Sequence, residues 1–213
     1  MKDAQGDPAY GRTNWRRFAI AAVAPTVVAV GLVAGVASGA IAASFSVSGE
    51  QFKLSATRLE GEGFTQYSGQ LKRENVSPRT GQKYEVAAMS GINSAKIYDL
   101  CQSVAVSGVV LRIEAGGNNN PALADDLVIG MSELSGDATF KDINIGQDAS
   151  TLDADGRPAG QHGEVNGFGQ QARTVNIVGL RQKAYSTTAS TFQLKGMNLK
   201  LFLGQPDKEC FAG

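Results

Sequence analysis

The chain has 213 residues, with 20 basic and 20 acidic side chains, one histidine and two cysteines. A net charge of zero without a basic cluster gives nucleic acid no electrostatic footprint. One His and two distant Cys supply no zinc-ligand pattern, so no metal is expected. The charge is uneven along the chain. Lys2, Arg12, Arg16 and Arg17 face only Asp3 and Asp7 ahead of residue 18, and the remainder is slightly acidic.

Residues 18–43 read FAIAAVAPTVVAVGLVAGVASGAIAA and carry no charge. A membrane helix needs about 20 apolar residues, which this run exceeds. The basic residues ahead of it keep residues 1–17 in the cytoplasm and send the rest across. Two readings stand. Trp15-Arg16-Arg17 suits a headgroup boundary and an anchor. Ala40-Ile41-Ala42, followed by Ala43, supplies the small-residue pattern of a signal cleavage site. Either way residues 44–213 form one extracytoplasmic domain, secreted or held at the membrane, and long enough for a sizeable core. Cys101 and Cys210 both lie in that domain. Their even count and exported position predict a disulfide between them.

Strand signals begin at once. Residues 44–48 and 51–56 alternate polar and apolar, the period of a half-buried strand. Gly61-Glu62-Gly63 marks a break, and residues 64–71 resume. Residues 74–82 read as loop, with Pro78 and Gly81 as punctuation. Residues 84–89 form a short strand that Ser90-Gly91 ends. Residues 95–113 are dense in β-branched side chains, which favours strands divided at Gly108. Residues 116–121 (GGNNNP) are a loop. Residues 123–134 admit two readings, strand at Leu127-Val128-Ile129 with Met131 or a short helical turn near residues 122–126, and the alternation of Phe140, Ile143 and Ile145 reads as strand. Residues 146–173 form a long irregular stretch, and loops of that length are usually functional or mobile. Residues 175–180 and 191–203 close the chain, the last with a phase shift at Lys195-Gly196 that suggests a bulge.

An internal echo runs through these segments. Ile97-Tyr-Asp-Leu100, Phe140-Lys-Asp-Ile143, Ile177-Val-Gly-Leu180 and Leu194-Lys-Gly-Met197 share one pattern: apolar, any residue, Asp or Gly, apolar. Their spacing is irregular, which argues against a regular solenoid. The echo reads as a repeated way of bulging strands. The fold expected is all-β: a single curved antiparallel sheet, a sandwich or a barrel, after an N-terminal hydrophobic helix.

No catalytic constellation emerges. Gly130-Met131-Ser132-Glu133-Leu134 lacks the second glycine of a nucleophile elbow. The single His162 sits in GRPAGQHGEVNGFG, a segment that reads as solvated loop. Asp153-Ala154-Asp155-Gly156 resembles the start of a calcium loop, but Arg157 occupies a ligand position, so it reads as a turn. No cofactor motif is present. Apolar strands in a curved sheet can enclose an apolar ligand, and membrane or envelope lipid is the expected partner.

Residues 43–67 (ASFSVSGEQFKLSATRLEGEGFTQY) resemble the opening of an actinobacterial family of exported proteins of unknown function. Some members carry the label cholesterol esterase. Residues 96–102 (KIYDLCQ), 134–140 (LSGDATF), 145–151 (IGQDAST), 168–172 (FGQQA), 188–192 (TASTF) and 209–211 (ECF) match as well. The resemblance implies an exported protein and brings no catalytic residue with it. Three functions follow as expectations. The first is a non-enzymatic envelope or secreted protein that binds lipid or other envelope components. The second is a lipid-ester hydrolase, and the third a structural surface protein that self-assembles through strand edges.

Overall fold

The computed structural model describes residues 46–47, 50–73, 76 and 81–212. By its contacts the chain divides into two units, Met1–Ser44 and Phe45–Gly213. The apolar run, its expected helix and the motif Ala40, Ala42 and Ala43 lie outside the described residues. Among those described, no helix is long and apolar enough to cross a membrane.

The second unit is all-β. Its strands are β1 (Ser46–Val47), β2 (Phe52–Arg73), β3 (Tyr84–Tyr98), β4 (Leu100–Val106), β5 (Val109–Ala115), β6 (Ala122–Lys141), β7 (Asn144–Asp148), β8 (Phe168–Thr188), β9 (Thr191–Gln193) and β10 (Asn198–Leu203). Four long strands close into a ring. β2 pairs with β3, β3 with β6, β6 with β8, and β8 again with β2, all antiparallel.

The ring closes with a large stagger. Thr65 faces Gly91 on β3, Gly91 faces Val128 on β6, and Val128 faces Thr188 on β8. Yet the residue that faces Thr65 directly on β8 is Gln171. Stagger and tilt are linked in a closed sheet, so these strands wind around the barrel axis rather than run along it. This explains the placement of β1. Ser46 and Val47 pair in parallel with Lys72 and Arg73 at the far end of β2. A straight 22-residue strand would span about 70 Å, whereas the few residues from Val47 to Phe52 reach at most about 18 Å. Winding brings the two ends of β2 close together.

A barrel of four strands is narrow, because diameter grows with strand number. Its lining is accordingly small where strands converge. Ala56, Ala95, Ala122, Ala124, Ala172 and Ala184 sit in the core with Leu54, Leu59, Phe64, Ile92, Leu127, Ile129, Val175, Ile177 and Leu180. At Gly61 even a methyl group is excluded: a Cβ would lie 2.8 Å from Ile92 Cγ2 and 3.0 Å from Val175 Cγ1. Gly61-Glu62-Gly63 therefore does not end a strand. β2 runs through it, with Gly63 at positive φ and the buried face changing phase on either side. Ser90-Gly91 is likewise inside β3.

The echo has a conformational meaning. Its third positions, Asp99, Asp142, Gly179 and Gly196, all have positive φ. Each re-aims the chain within or between strands: β3 into β4, β6 into β7, within β8, and β9 into β10. The phase shift at Lys195-Gly196 is thus a turn between two strands rather than a bulge inside one.

Beyond the barrel, β4, β5 and β10 extend the sheet as a three-stranded wing. The residues that share one face are read from the register. Cys101, Glu114 and Asn198 lie together, as do Ser103, Arg112 and Lys200. The C-terminal segment straps this face. Cys210 is disulfide-bonded to Cys101, its N–H donates to Ser103 Oγ at 3.0 Å, and Arg112 Nη1 donates to the Lys208 carbonyl at 3.4 Å. Lys53 Nζ adds an ion pair to Glu209 at 2.8 Å and a hydrogen bond to the Phe211 carbonyl at 3.0 Å.

The disulfide spans 109 residues, and cross-links over loops of this size contribute about 2–5 kcal/mol. Cys210→Ser is expected to lower unfolding free energy by about that amount. Urea titration checks it, with unlabelled thiols counted by mass before and after reduction. An unchanged midpoint would show the strap to be idle.

Candidate functional site

Two features stand out: a buried ionic cluster under the long loop, and the uncovered face of the wing.

The loop is built from β7 onward. Asp148 caps the 3-10 turn Ala149–Thr151, accepting from Ser150 N–H and Ser150 Oγ, each at 2.9 Å. Its other oxygen accepts from Asn166 N–H at 2.9 Å, so one side chain ties both ends of the loop. The hydrogen bonds from Asn166 and Ser150 hold the Asp148 carboxyl below its usual range. Gln171 Oε1 accepts from Asp153 and Ala154 N–H at 2.9 and 3.2 Å. Ala149 and Leu152 pack on Tyr67 and Met89. The stretch 146–173 is therefore not irregular throughout: β7 opens it, β8 begins at Phe168, and the loop between is fastened to the barrel wall.

Asp155 is the centre of that fastening. Thr65 and Gly91 face each other across β2 and β3, with their side-chain directions opposite to those of the core residues Phe64 and Ile92. Asp155 sits over this pair on the outer wall. A Cβ at Gly91 would fall on its carboxylate and within 2.7 Å of Thr65 Oγ1, so only glycine leaves the space. Asp155 Oδ2 accepts from Thr65 Oγ1 at 2.9 Å, from Arg157 Nε at 2.8 Å and from Arg157 Nη2 at 2.5 Å. Oδ1 meets His162 Nε2 at 2.9 Å and Arg157 N–H at 3.2 Å. The side chains of His162 and Asp155 are 0 % and 1 % exposed.

His162 is thus not the solvated loop residue that the flanking glycines suggest. Its ring is sealed under the loop, edge-on to Tyr67 at 5.5 Å between centroids. Its signal in the sequence was present only as Asp155, Arg157 and His162 recurring within eight residues of a turn.

The Asp–His pair has the orientation half of a hydrolytic triad, but the nucleophile is elsewhere. Ser132 lies inside β6, where its Oγ accepts from Gln51 Nε2 at 2.6 Å and donates to the Lys183 carbonyl at 3.3 Å. Among the described residues no hydrogen bond joins Ser132 to His162, and His162 Nδ1 is buried with no partner. The Asp155 carboxylate is saturated by donors, which suits a clasp rather than a base. It also faces the Arg157 guanidinium, in keeping with a turn rather than a calcium loop. Among the described residues no group of three or more metal-ligating side chains converges.

The second feature is the wing face opposite the strap. Leu199, Ile113 and Gln102 share it, then Leu201, Leu111 and Val104, then Leu203, Val109 and Val106. Leu199, Leu201 and Leu203 are 49 %, 62 % and 75 % exposed. None of the eight apolar side chains belongs to a described core cluster. Gln102 lies opposite Leu54, a barrel-core residue, so this face is the outward continuation of the barrel's own lining. Large contiguous apolar patches on a protein surface are commonly interaction sites. The alternation of residues 197–203 carried the signal, but it reads equally as a core strand.

The fold and these features define a small closed β-barrel with a disulfide-strapped wing. The chain belongs to a family of unknown function, DUF6230, whose model matches residues 48–211. No curated protein and no solved structure matches it.

Burial alone pushes the Asp155 carboxyl up. The hydrogen bond with His162, then the charge and hydrogen bonds of Arg157, outweigh burial and hold it at about 2, against an ordinary 3.8. A depressed acid stabilises the fold above its unfolded pKa and loses that contribution as pH falls through the folded value. The clasp's contribution of about 2 kcal/mol is therefore expected to disappear between about pH 4 and pH 2. Asp155→Asn is expected to cost about 3 kcal/mol at neutral pH, by leaving Arg157 uncompensated, and to flatten that acid limb. Urea unfolding at several pH values checks both. Gly91→Ala tests the same clasp without changing a charge.

Proposed function

We propose that this protein is a non-enzymatic β-barrel module that works outside the cytoplasm by contact with envelope lipid. The contact surface is the apolar face of β4, β5 and β10. That face carries the reading: eight apolar side chains with no charge among them continue the barrel lining, and four of them, Val106, Leu199, Leu201 and Leu203, are exposed.

Four further observations support it. The disulfide accords with an oxidising compartment, and its strap occupies only the opposite face of the wing. The barrel interior is filled by side chains, so an apolar ligand is met at the surface rather than enclosed. One groove elsewhere, of about 500 Å³ beside Glu62, Asn93, Asp142, Gln171 and Arg173, is mainly polar. The buried His162–Asp155 pair fastens a loop and presents no nucleophile.

The test places an environment-sensitive fluorophore on Leu203→Cys in the purified mature protein, with Ile145→Cys as control. Both positions are well exposed, Ile145 at 67 %. Adding phosphatidylethanolamine–phosphatidylglycerol vesicles is expected to raise emission at position 203 several-fold and leave position 145 unchanged. Equal responses, or none at position 203, would contradict contact through this face.

A further inference from the structure

The geometry points to a second copy of this chain as the occupant of the β10 edge, paired antiparallel about a two-fold axis through Leu201. The inference rests on the backbone of the wing. It complements the lipid reading of its face and stands or falls separately.

β10 pairs with β5 alone among the described strands. Register fixes where its backbone groups point. Gly204 N–H donates to the Gly108 carbonyl at 2.8 Å, continuing the ladder in which Leu203 faces Val109. Successive residues of a strand direct their N–H and C=O groups to alternate sides. Lys200 and Phe202 therefore point theirs at β5, and Leu199, Leu201 and Leu203 point theirs outward. A row of outward donors and acceptors is a template for another strand.

Natural edges are blunted by proline, by charge or by bulges. β10 has no proline and a continuous register. Its one charge, Lys200, lies on the strapped side, 3.6 Å from Glu114. Lipid cannot fill this edge, because unpaired backbone groups are costly against hydrocarbon. Protein, which can pair these groups, is the better occupant of the edge.

A second copy closes it in one favoured register. Closed pairs of identical chains are two-fold, so a residue on the axis meets itself. An axis through Leu201 sets Leu201 against its own counterpart and Leu199 against the partner's Leu203. All three outward-pointing residues then exchange backbone hydrogen bonds, and the leucines form one row. Lys200 meets the partner's Phe202. An axis through Lys200 would place two cations opposite each other, which is destabilising. An axis through Phe202 would lose one leucine pairing at each end. An axis between residues would turn the two apolar faces to opposite sides of the sheet.

Cysteine scanning reads the register. Opposed residues of a hydrogen-bonded antiparallel pair have Cα atoms about 5.5 Å apart, within disulfide range. In the full mature protein, Leu201→Cys is expected to give a disulfide-linked dimer on a non-reducing gel. Leu199→Cys and Leu203→Cys are expected to stay monomeric alone and to cross-link when mixed. Ile145→Cys serves as the collisional control, and intact mass confirms that the Cys101–Cys210 bond is kept. Sedimentation of the unmutated protein is expected to show a dimer. A monomer by sedimentation, no Leu201→Cys dimer, or equal cross-linking from all four variants would overturn the pairing. A fluorescence response at Leu203→Cys without any dimer would overturn the pairing and leave the lipid reading intact. A register-specific dimer without that response would do the reverse.

Discussion

The hydrogen-bonded seam between β2 and β8 is the constraint on which the rest of this structure depends. It runs from Phe52 opposite Ala184 to Tyr67 opposite Gly169, and it turns an open meander into a ring. Once four strands close, the interior is fixed by geometry. Glycine and alanine stand where strands converge, and among the described residues buried side chains pack the inner face. Closure also uses both edges of β2 and β8 along most of their length, and the wing is where a run of exposed leucines meets a free edge among the described strands.

The two fastenings follow from the same geometry. A strand that winds around the axis presents an outer wall that needs cover, and the loop after β7 supplies it. A bare loop over a sheet would be held weakly, since it has few apolar contacts to offer. Asp155 solves this by saturating its carboxylate with Thr65, Arg157 and His162, in a space that only Gly91 leaves open. The disulfide does the equivalent work at the other extremity, where Cys210 covers one face of the wing. Each fastening protects one surface, and neither covers the face that carries Leu199, Leu201 and Leu203. The asymmetry between the two wing faces is the physical basis of the functional reading.

Much of this was legible in the residues. Period-two alternation and β-branched density gave the all-β class, and the two cysteines gave their own pairing. The apolar–x–Asp/Gly–apolar echo located four left-handed positions, because Asp and Gly tolerate the conformation that re-aims a strand. Strand lengths were not legible. Gly61, Gly63 and Gly91 are punctuation in a local reading, but the barrel uses them for close approach and for the Asp155 carboxylate. The site was hidden for a similar reason. His162 sits among glycines, and nothing local says that a neighbouring carboxylate will bury it. The wing face escaped notice because alternating leucines look the same whether the sheet beside them is covered or bare.

Amide hydrogen exchange at the β2–β8 seam tests the closed ring most directly. Closure predicts that amides of residues 53–66 on β2 and 170–183 on β8 exchange as slowly as those between β2 and β3, in one cooperative unit. Fast exchange along that seam, at the rate of an open edge, would show the ring to be open. The filled interior and the argument for surface function would then fall with it.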